Sequence, residues 1–301
     1  MKGLLSVIVL THNEEQNLGD CLASMGALCD AKFVVDSYSS DKTLEVARSN
    51  GAQVVQHQFE NYSKQYNWAL ENLPIRTKWV MRMDADERLT PELLAELSSV
   101  LPSLPDNVTG LYVKRRVHFM GRWIRHGGYY PVWLLRIWRT GQGCIEERWM
   151  DEHVRITGGE NLFLKNDIYE ENVKNLHWWI GKHNGYATRE AIDLLGLQSG
   201  VPECNKVKPK LLGTQEQRKR WLKENAYKKI PLFARPFFYF IYRYFFKFGF
   251  MDGKEGLIWH FLQGFWYRFL VDAKIYEIKK NARDGNMDIQ TVIKKHYGLD
   301  V

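Results

Sequence analysis

Two aspartates one residue apart close an apolar run in Trp79-Val80-Met81-Arg82-Met83-Asp84-Ala85-Asp86-Glu87. In an extended chain, residues i and i+2 point to the same side. Asp84 and Asp86 can therefore converge on one hard divalent cation, and carboxylate oxygens suit Mg²⁺ or Mn²⁺. A cation held by only two protein carboxylates keeps open positions, which suits a phosphate-bearing ligand. An isolated D-x-D is also an ordinary pair of solvated loop acids before a helix. Its meaning rests on the elements that position it.

Those elements alternate. Leu4 to Leu10 is an apolar run of strand length, of the kind buried in a parallel sheet. Thr11-His12-Asn13 is a polar turn, and Glu14 to Met25 has helical spacing. Lys32 to Asp36 reads as a second strand ending in an acid, and Ser39-Ser40-Asp41-Lys42-Thr43 as the capped start of a helix over Leu44 to Asn50. Gln53-Val54-Val55 is a third strand, Tyr66 to Leu73 a helix, and Lys78 to Met83 a fourth strand. This β-α order predicts an α/β fold with a mostly parallel sheet, which binds ligands at the C-terminal ends of its strands. Thr11, Asp36 and Asp84 all fall at such ends.

Composition frames the rest. The 301 residues are 45% hydrophobic and 26% charged, a globular balance. Cys21, Cys29, Cys144 and Cys204 show neither zinc-type spacing nor a dense disulfide pattern, which fits a reducing, cytoplasmic compartment. Met1-Lys2-Gly3 leads straight into the first strand with no cleavage site, so no signal peptide is expected. The net charge of +7 is uneven: residues 201–301 hold 20 Lys/Arg against 10 Asp/Glu, and residues 1–200 hold 22 against 25. The chain is accordingly divided into a first domain over 1–200 and a basic, aromatic helical region over 201–301 that meets something anionic.

Three motifs carry a family likeness: Ser6 to Glu15, Val34 to Thr43, and Met83-Asp84-Ala85-Asp86-Glu87. In order and spacing they resemble the inverting nucleotide-sugar glycosyltransferases of family 2, with the Rossmann-like GT-A fold, over roughly residues 4–160. Ser63 to Leu70 and Gly249-Phe250-Met251-Asp252-Gly253 narrow the likeness to bacterial sugar transferases of lipopolysaccharide-core and polysaccharide assembly. The resemblance implies that Asp86 is the direct metal ligand and that Asp84 contacts ribose or metal-bound water. It implies that Asp36 accepts from a uracil ring and that Thr11 lines the base pocket, with Asn13, Glu14 and Ala85 in the nucleotide-sugar site. Lys64 falls where such enzymes carry a basic residue near base or phosphates; it reads equally as a solvated helix-start lysine. Asp41 is read as a helix cap.

An inverting transfer needs a general base for the acceptor hydroxyl. Trp149-Met150-Asp151-Glu152-His153-Val154 precedes a turn at Thr157-Gly158-Gly159. Related enzymes often carry His-Glu here, with a glycine six residues on, which puts Glu152 in the glutamate position and Asp151 where the histidine stands. Glu152 is the first choice as base and Asp151 the second; a surface acid pair is the plain alternative. The basic and aromatic mixture over Tyr112–Phe119, Arg122–Gly128 and Pro131–Arg136 suits a substrate cleft or a half-buried sheet equally well. His177 and Lys182 are candidate diphosphate contacts ahead of a helical run from Ala187 to Leu195, or solvated charges at a helix start.

Residues 230–270 contain 17 aromatics among 41, broken by Arg235, Arg243 and Lys247 too often for a bilayer span, which needs ~20 predominantly apolar residues. Aromatic helices flanked by Lys and Arg suit an anionic membrane surface. The alternative is that they pair with one another or form a homodimer. Nucleic-acid binding is not expected, because no known reader motif accompanies the basic charge. The sequence thus implies a cytoplasmic enzyme, peripheral on the inner face of the cytoplasmic membrane. It would move a hexose from a UDP-sugar, with Mn²⁺ or Mg²⁺, to a hydroxyl of a lipid-linked, lipopolysaccharide or polysaccharide acceptor. The rivals are a polyprenyl-phosphate sugar synthase and a non-catalytic membrane-surface protein on a degenerate GT-A fold.

Overall fold

A computed structural model describes residues 3–146, 152–196, 212, 215–225 and 227–299. The chain forms two compact units, 1–146 with 153–173, and 147–152 with 174–301.

The first unit is α/β. Its elements in order are β1 (Leu5–Thr11), α1 (Leu18–Ser24), β2 (Ala31–Asp36), α2 (Thr43–Ser49), β3 (Gln53–Gln56), α3 (Tyr62–Asn72), β4 (Trp79–Asp84), β5 (Glu87–Leu89), α4 (Pro91–Val100), β6 (Val108–Phe119), β7 (Arg122–Trp123), β8 (Val132–Arg139), β9 (Gly143–Ile145), β10 (Val154–Ile156) and β11 (Glu160–Glu171). Among the described residues, nine strands form one sheet of order β3-β2-β1-β4-β8-β6-β11-β5, with β7 on β6; β9 and β10 form a separate ribbon. The half β3-β2-β1-β4 is entirely parallel. Beyond it β8 enters antiparallel to both β4 and β6, and β11 runs parallel to β6. This is the α/β arrangement that the alternating elements predict, in the GT-A-like form that the family resemblance implies.

Burial explains the continuous apolar strands. Val7, Val9, Val34, Met81 and Met83 pack on one sheet face with α1 and α4, while Ile8, Phe33, Val35 and Val80 pack on the other with Tyr66 and Ala69 of α3. With both faces covered, alternation has no solvent side to mark. Two helices begin earlier than their apolar spacing suggests. Asn61 caps α3 by accepting from the Lys64 amide at 2.9 Å, which starts that helix at Tyr62 rather than Tyr66.

The second unit holds α5 (Leu176–Leu194), α6 (Gln215–Asn225), α7 (Ala234–Ile241), α8 (Gly253–Trp259), α9 (Tyr267–Asp284) and α10 (Ile289–Tyr297). Asn175 caps α5 from the Trp178 amide at 3.0 Å, so the stretch ahead of Ala187 is part of the same helix. Ala187 and Ala191 of α5 pack on Tyr267, Val271 and Ile275 of α9, which groups this helix with the C-terminal ones. Ile192, Ile278, Val292 and Ile293 seat α10. A buried ion pair, Arg235 Nε to Asp272 Oδ1 at 2.7 Å, ties α7 to α9. Among the described residues no helix is long and apolar enough to cross a membrane.

Candidate active site

The parallel register brings the predicted strand ends together. Thr11 pairs with Asp36 across β1 and β2, and Leu10 pairs with Asp84 across β1 and β4. The turn after β1 is fixed by side-chain bonds to the turn after β2. Asn13, at φ 55°, donates its amide to Ser39 Oγ at 2.8 Å and accepts from the Ser40 amide at 2.8 Å. The Glu14 amide donates to Thr43 Oγ1 at 2.7 Å, and Asp41 accepts from the amides of Glu15 and Thr43.

Asp36 is fully buried and carries four hydrogen bonds. Oδ1 accepts from the Thr11 hydroxyl at 3.0 Å and from the Ser39 hydroxyl. Oδ2 accepts from the Ser39 amide at 2.8 Å and from Gln56 Nε2 at 3.2 Å. Four lone-pair sites are thereby filled. A ring N–H that donates to this carboxylate takes the place of one of these partners.

Asp84 and Asp86 differ in their surroundings. Asp84 accepts from the Tyr62 hydroxyl at 3.0 Å through Oδ1 and from Arg136 Nη2 at 3.1 Å through Oδ2. Arg82 lies 3.9 Å from Oδ1 and stacks over the Tyr62 ring at 4.1 Å. Burial pushes the Asp84 carboxyl up, but the Arg136 and Arg82 charges with these hydrogen bonds outweigh it and hold it well below the usual carboxylate range. Asp86, half-buried in the turn between β4 and β5, accepts from Asn172 Nδ2 at 3.0 Å through Oδ2. Its carbonyl accepts from the Glu171 amide at 3.0 Å, so β11 buttresses the turn.

Beneath the pair, Glu87 is completely buried. Arg136 donates to its Oε1, and its Oε2 accepts from the Asp84 amide at 2.9 Å. Burial lifts the Glu87 carboxyl to about 8 despite the Arg136 charge, with the Asp84 charge adding to the rise. Burial disfavours the Arg136 cation, but the two acids hold it charged. Charge alone does not mark Tyr62, Glu87, Arg136 and Asn172 as site residues. The available signal is an arginine inside the apolar strand Val132-Trp133-Leu134-Leu135-Arg136-Ile137-Trp138, since buried arginines are almost always paired. The antiparallel pair Met81↔Ile137 then puts Arg136 beside the end of β4.

Among the described residues no group of three or more His, Cys, Asp or Glu side chains gathers around a common cation position. The donor set is two carboxylates. Asp86 Oδ1 lies outside the Asn172 bond, and both Asp84 oxygens are already engaged. This suits an oxygen-seeking ion held by one direct protein carboxylate, with a second carboxylate beside it and a ligand's phosphates completing the shell.

The remaining predicted residues lie as follows. Ala85 is buried between the two aspartates. Lys64 is exposed on α3 and pairs with Glu60 one turn back. Lys114 and Arg116 reach Asp167 at 3.3 and 2.8 Å, and Arg115 reaches Glu170 at 2.8 Å, so these cations of β6 bind acids of β11. In the second unit, His177 is exposed in the first turn of α5, and Lys182 stands over the Trp178 ring at 4.7 Å. Glu152 is half-buried, two residues ahead of β10. Asp151 lies outside the described residues.

The family model described as Glycosyl transferase family 2 matches residues 6–171. An uncharacterized glycosyltransferase of Rickettsia typhi is 32% identical over 99 residues, covering 33% of this chain and 33% of the relative. A dolichyl-phosphate hexose transferase of Haloferax volcanii is 29% identical over 127 residues, covering 41% of this chain and 54% of the relative. The first matched curated relatives are thus aligned over about a third of their length. S. aureus TarS 1–349 aligns over 94% of this chain and 92% of its own at 16% identity, with a TM-score of 0.47.

Proposed function

The chain belongs to glycosyltransferase family 2, and from that premise we propose that it is a metal-dependent inverting transferase of a hexose from a UDP-sugar. The acceptor is a hydroxyl on a lipid-linked, lipopolysaccharide or polysaccharide chain at the inner face of the cytoplasmic membrane. One observation carries this reading: the register that sets Thr11, Asp36 and Asp84 side by side at the C-terminal edge of a parallel sheet, with Asp86 in the turn just beyond. Such an edge is where open α/β sheets take nucleotides.

Asp86 would hold Mn²⁺ or Mg²⁺ directly. When bound, the cation neutralises charge that develops on the leaving diphosphate. Arg136 and Tyr62 fix Asp84 for ribose or for water beside the ion, and Thr11, Asn13, Glu14, Asp36 and Ala85 shape the nucleoside pocket. Glu152, or Asp151, takes the proton of the attacking hydroxyl as the new bond forms at the anomeric carbon, from the face opposite the diphosphate. Lys64, His177 and Lys182 are secondary candidates for phosphate contacts.

The test is nucleotide release from a panel of UDP-, GDP- and TDP-sugars with Mn²⁺ or Mg²⁺. Release from a UDP-hexose that EDTA abolishes supports the reading, and no turnover of any donor counts against it. The likeness to a dolichyl-phosphate hexose transferase favours one second reading, a polyprenyl-phosphate sugar synthase. Transfer to a polyprenyl phosphate in preference to a sugar hydroxyl would select it.

A further inference from the structure

Tyr267, Trp179 and Trp259 are buried in the second unit, but many of its other aromatic residues are not. Phe245, Phe246 and Phe248 are 53%, 71% and 56% exposed, and Phe250 and Met251 are 48% and 55% exposed. Phe245 and Phe246 lie in a wide helical turn, Tyr242–Phe246, that extends α7, and Phe248, Phe250 and Met251 lie in the bend that follows it before α8. Exposed side chains continue at Phe237 and Phe238 of α7, Leu257 of α8, and Phe261 in the wide helical turn His260–Trp266 that follows α8. Ring contacts connect this surface: Phe248 to Phe250 at 6.1 Å, Phe250 to Tyr244 at 6.3 Å, Tyr244 to Phe240 at 5.3 Å, and Phe240 to Phe261 at 6.3 Å. Single exposed apolar residues are ordinary, whereas a contiguous patch marks an interaction site.

The bend is firmly built. Buried His260 and Asp252 face each other at 3.8 Å at its base. A Cβ on Gly249 would come within 2.6 Å of His260 Nε2, so only glycine allows this approach. Phe248 sits at φ 58°, a left-handed conformation that strains a bulky residue. The fold thus uses a strained, tightly packed turn to hold phenyl rings outward.

Charge identifies the occupant. Between residues 227 and 271 the only acids are Asp252 and Glu255. Asp252 is buried with His260, and Glu255 is half-buried. Lys229, Lys247 and Lys254 are exposed, while Arg235 and Arg268 are neutralised by Asp272 and Glu190. An aromatic surface edged with lysine complements an anionic bilayer: the rings enter the headgroup boundary and the ammonium groups meet lipid phosphates. We propose that the bend between α7 and α8, with the adjoining faces of both helices, is a docking surface for an anionic lipid bilayer. The protein lies on the membrane through this face.

The experiment is flotation of the full chain with vesicles of phosphatidylcholine alone or mixed with phosphatidylglycerol, at low and high salt. Binding is expected to the mixed vesicles and to fall with salt. Lys247→Gln and Lys254→Gln should each weaken it about fivefold. The triple variant Phe245→Ser, Phe246→Ser, Phe250→Ser should lose on the order of 100-fold or more. Its circular dichroism should match wild type, since these side chains are already exposed. No binding to mixed vesicles at low salt overturns the proposal, as does unchanged binding by a folded triple variant. Vesicle-independent dimerisation by light scattering, abolished in the triple variant, would assign the surface to a second copy instead. None of these readouts needs donor turnover, so the outcome is independent of the proposed transferase chemistry.

Discussion

Arg136 Nη2 lies 3.1 Å from Asp84 Oδ2 and at the same time donates to Glu87, so one buried guanidinium serves two carboxylates three residues apart. The strand-end acid is therefore aimed by a residue of the antiparallel strand beside it. Removing one partner of a buried pair strands the other in a low dielectric, which typically costs about 3–5 kcal/mol. Arg136→Ala should lower stability by about that much in urea unfolding. Adding Asp84→Asn should recover part of the loss: Glu87, lifted to about 8 even beside Arg136, is protonated once the guanidinium is gone, so Asp84 is the acid left charged. If the double variant is no more stable than the single, Asp84 is not the liability.

Asp86 should separate from Asp84 in a paired comparison. Asp86 is half-buried, and a single side-chain hydrogen bond, to Asn172, joins it to the described residues. Asp86→Ala should cost about 1 kcal/mol of stability or less and abolish metal-stimulated nucleotide release. Asp84→Ala should cost more stability, since it leaves Arg136 with Glu87 alone. Thermal melts with and without Mn²⁺ give a second readout: wild type gains stability with the ion plus UDP, and Asp86→Ala does not. Wild-type turnover in Asp86→Ala would remove that residue from the metal site.

The base is tested by amides. Glu152→Gln should reduce transfer by roughly 10²–10⁴-fold while leaving the UDP dissociation constant near wild type. The same result from Asp151→Asn, with Glu152→Gln silent, moves the role one residue back.

His183 gives a pH signature in the second unit. Its Nδ1–H donates to the Trp179 carbonyl at 2.8 Å, and its Nε2 accepts from Gln263 at 2.7 Å. Burial disfavours the cation and lowers the ring from 6.5 to about 4. The unfolded chain takes up the proton near 6.5 and the folded one only near 4. The associated stability is thus present above pH 6.5 and drains away as pH falls towards 4, by at most about 3 kcal/mol. His183→Gln should flatten that dependence in urea titrations at pH 4.5 and 7. Equal slopes in both proteins would exclude His183 as the source.

The chain revealed what its local pattern controls. Short apolar runs ending in Thr11, Asp36 and Asp84 mark strand ends, and the β-α order implies parallel neighbours, so these positions were legible before any coordinates. Asp84's partners were not, because Arg136 is 52 residues away and arrives only when β8 inserts antiparallel beside β4. Asn172 reaches Asp86 from 86 residues on, by way of β11. The aromatics after Pro236 were legible as a cluster, but a phenylalanine looks the same in a core and on a surface. The side taken by Phe248 depends on its own left-handed backbone and on the close approach of Gly249 to His260, neither of which its residue type shows.

The filled carboxylate of Asp36 has a consequence for selectivity. A buried acid left bare would penalise the ligand-free protein and make any donor welcome. In the proposed transferase, Thr11, Ser39 and Gln56 already satisfy Asp36, so a nucleobase docking on it would exchange one-for-one, most readily with Gln56, the longest of the contacts at 3.2 Å. Exchange gains little free energy for the right base and leaves a wrong one facing a partner it cannot replace. On the proposed reading, the base is where a donor is vetted, and grip on the nucleotide comes from its charged end.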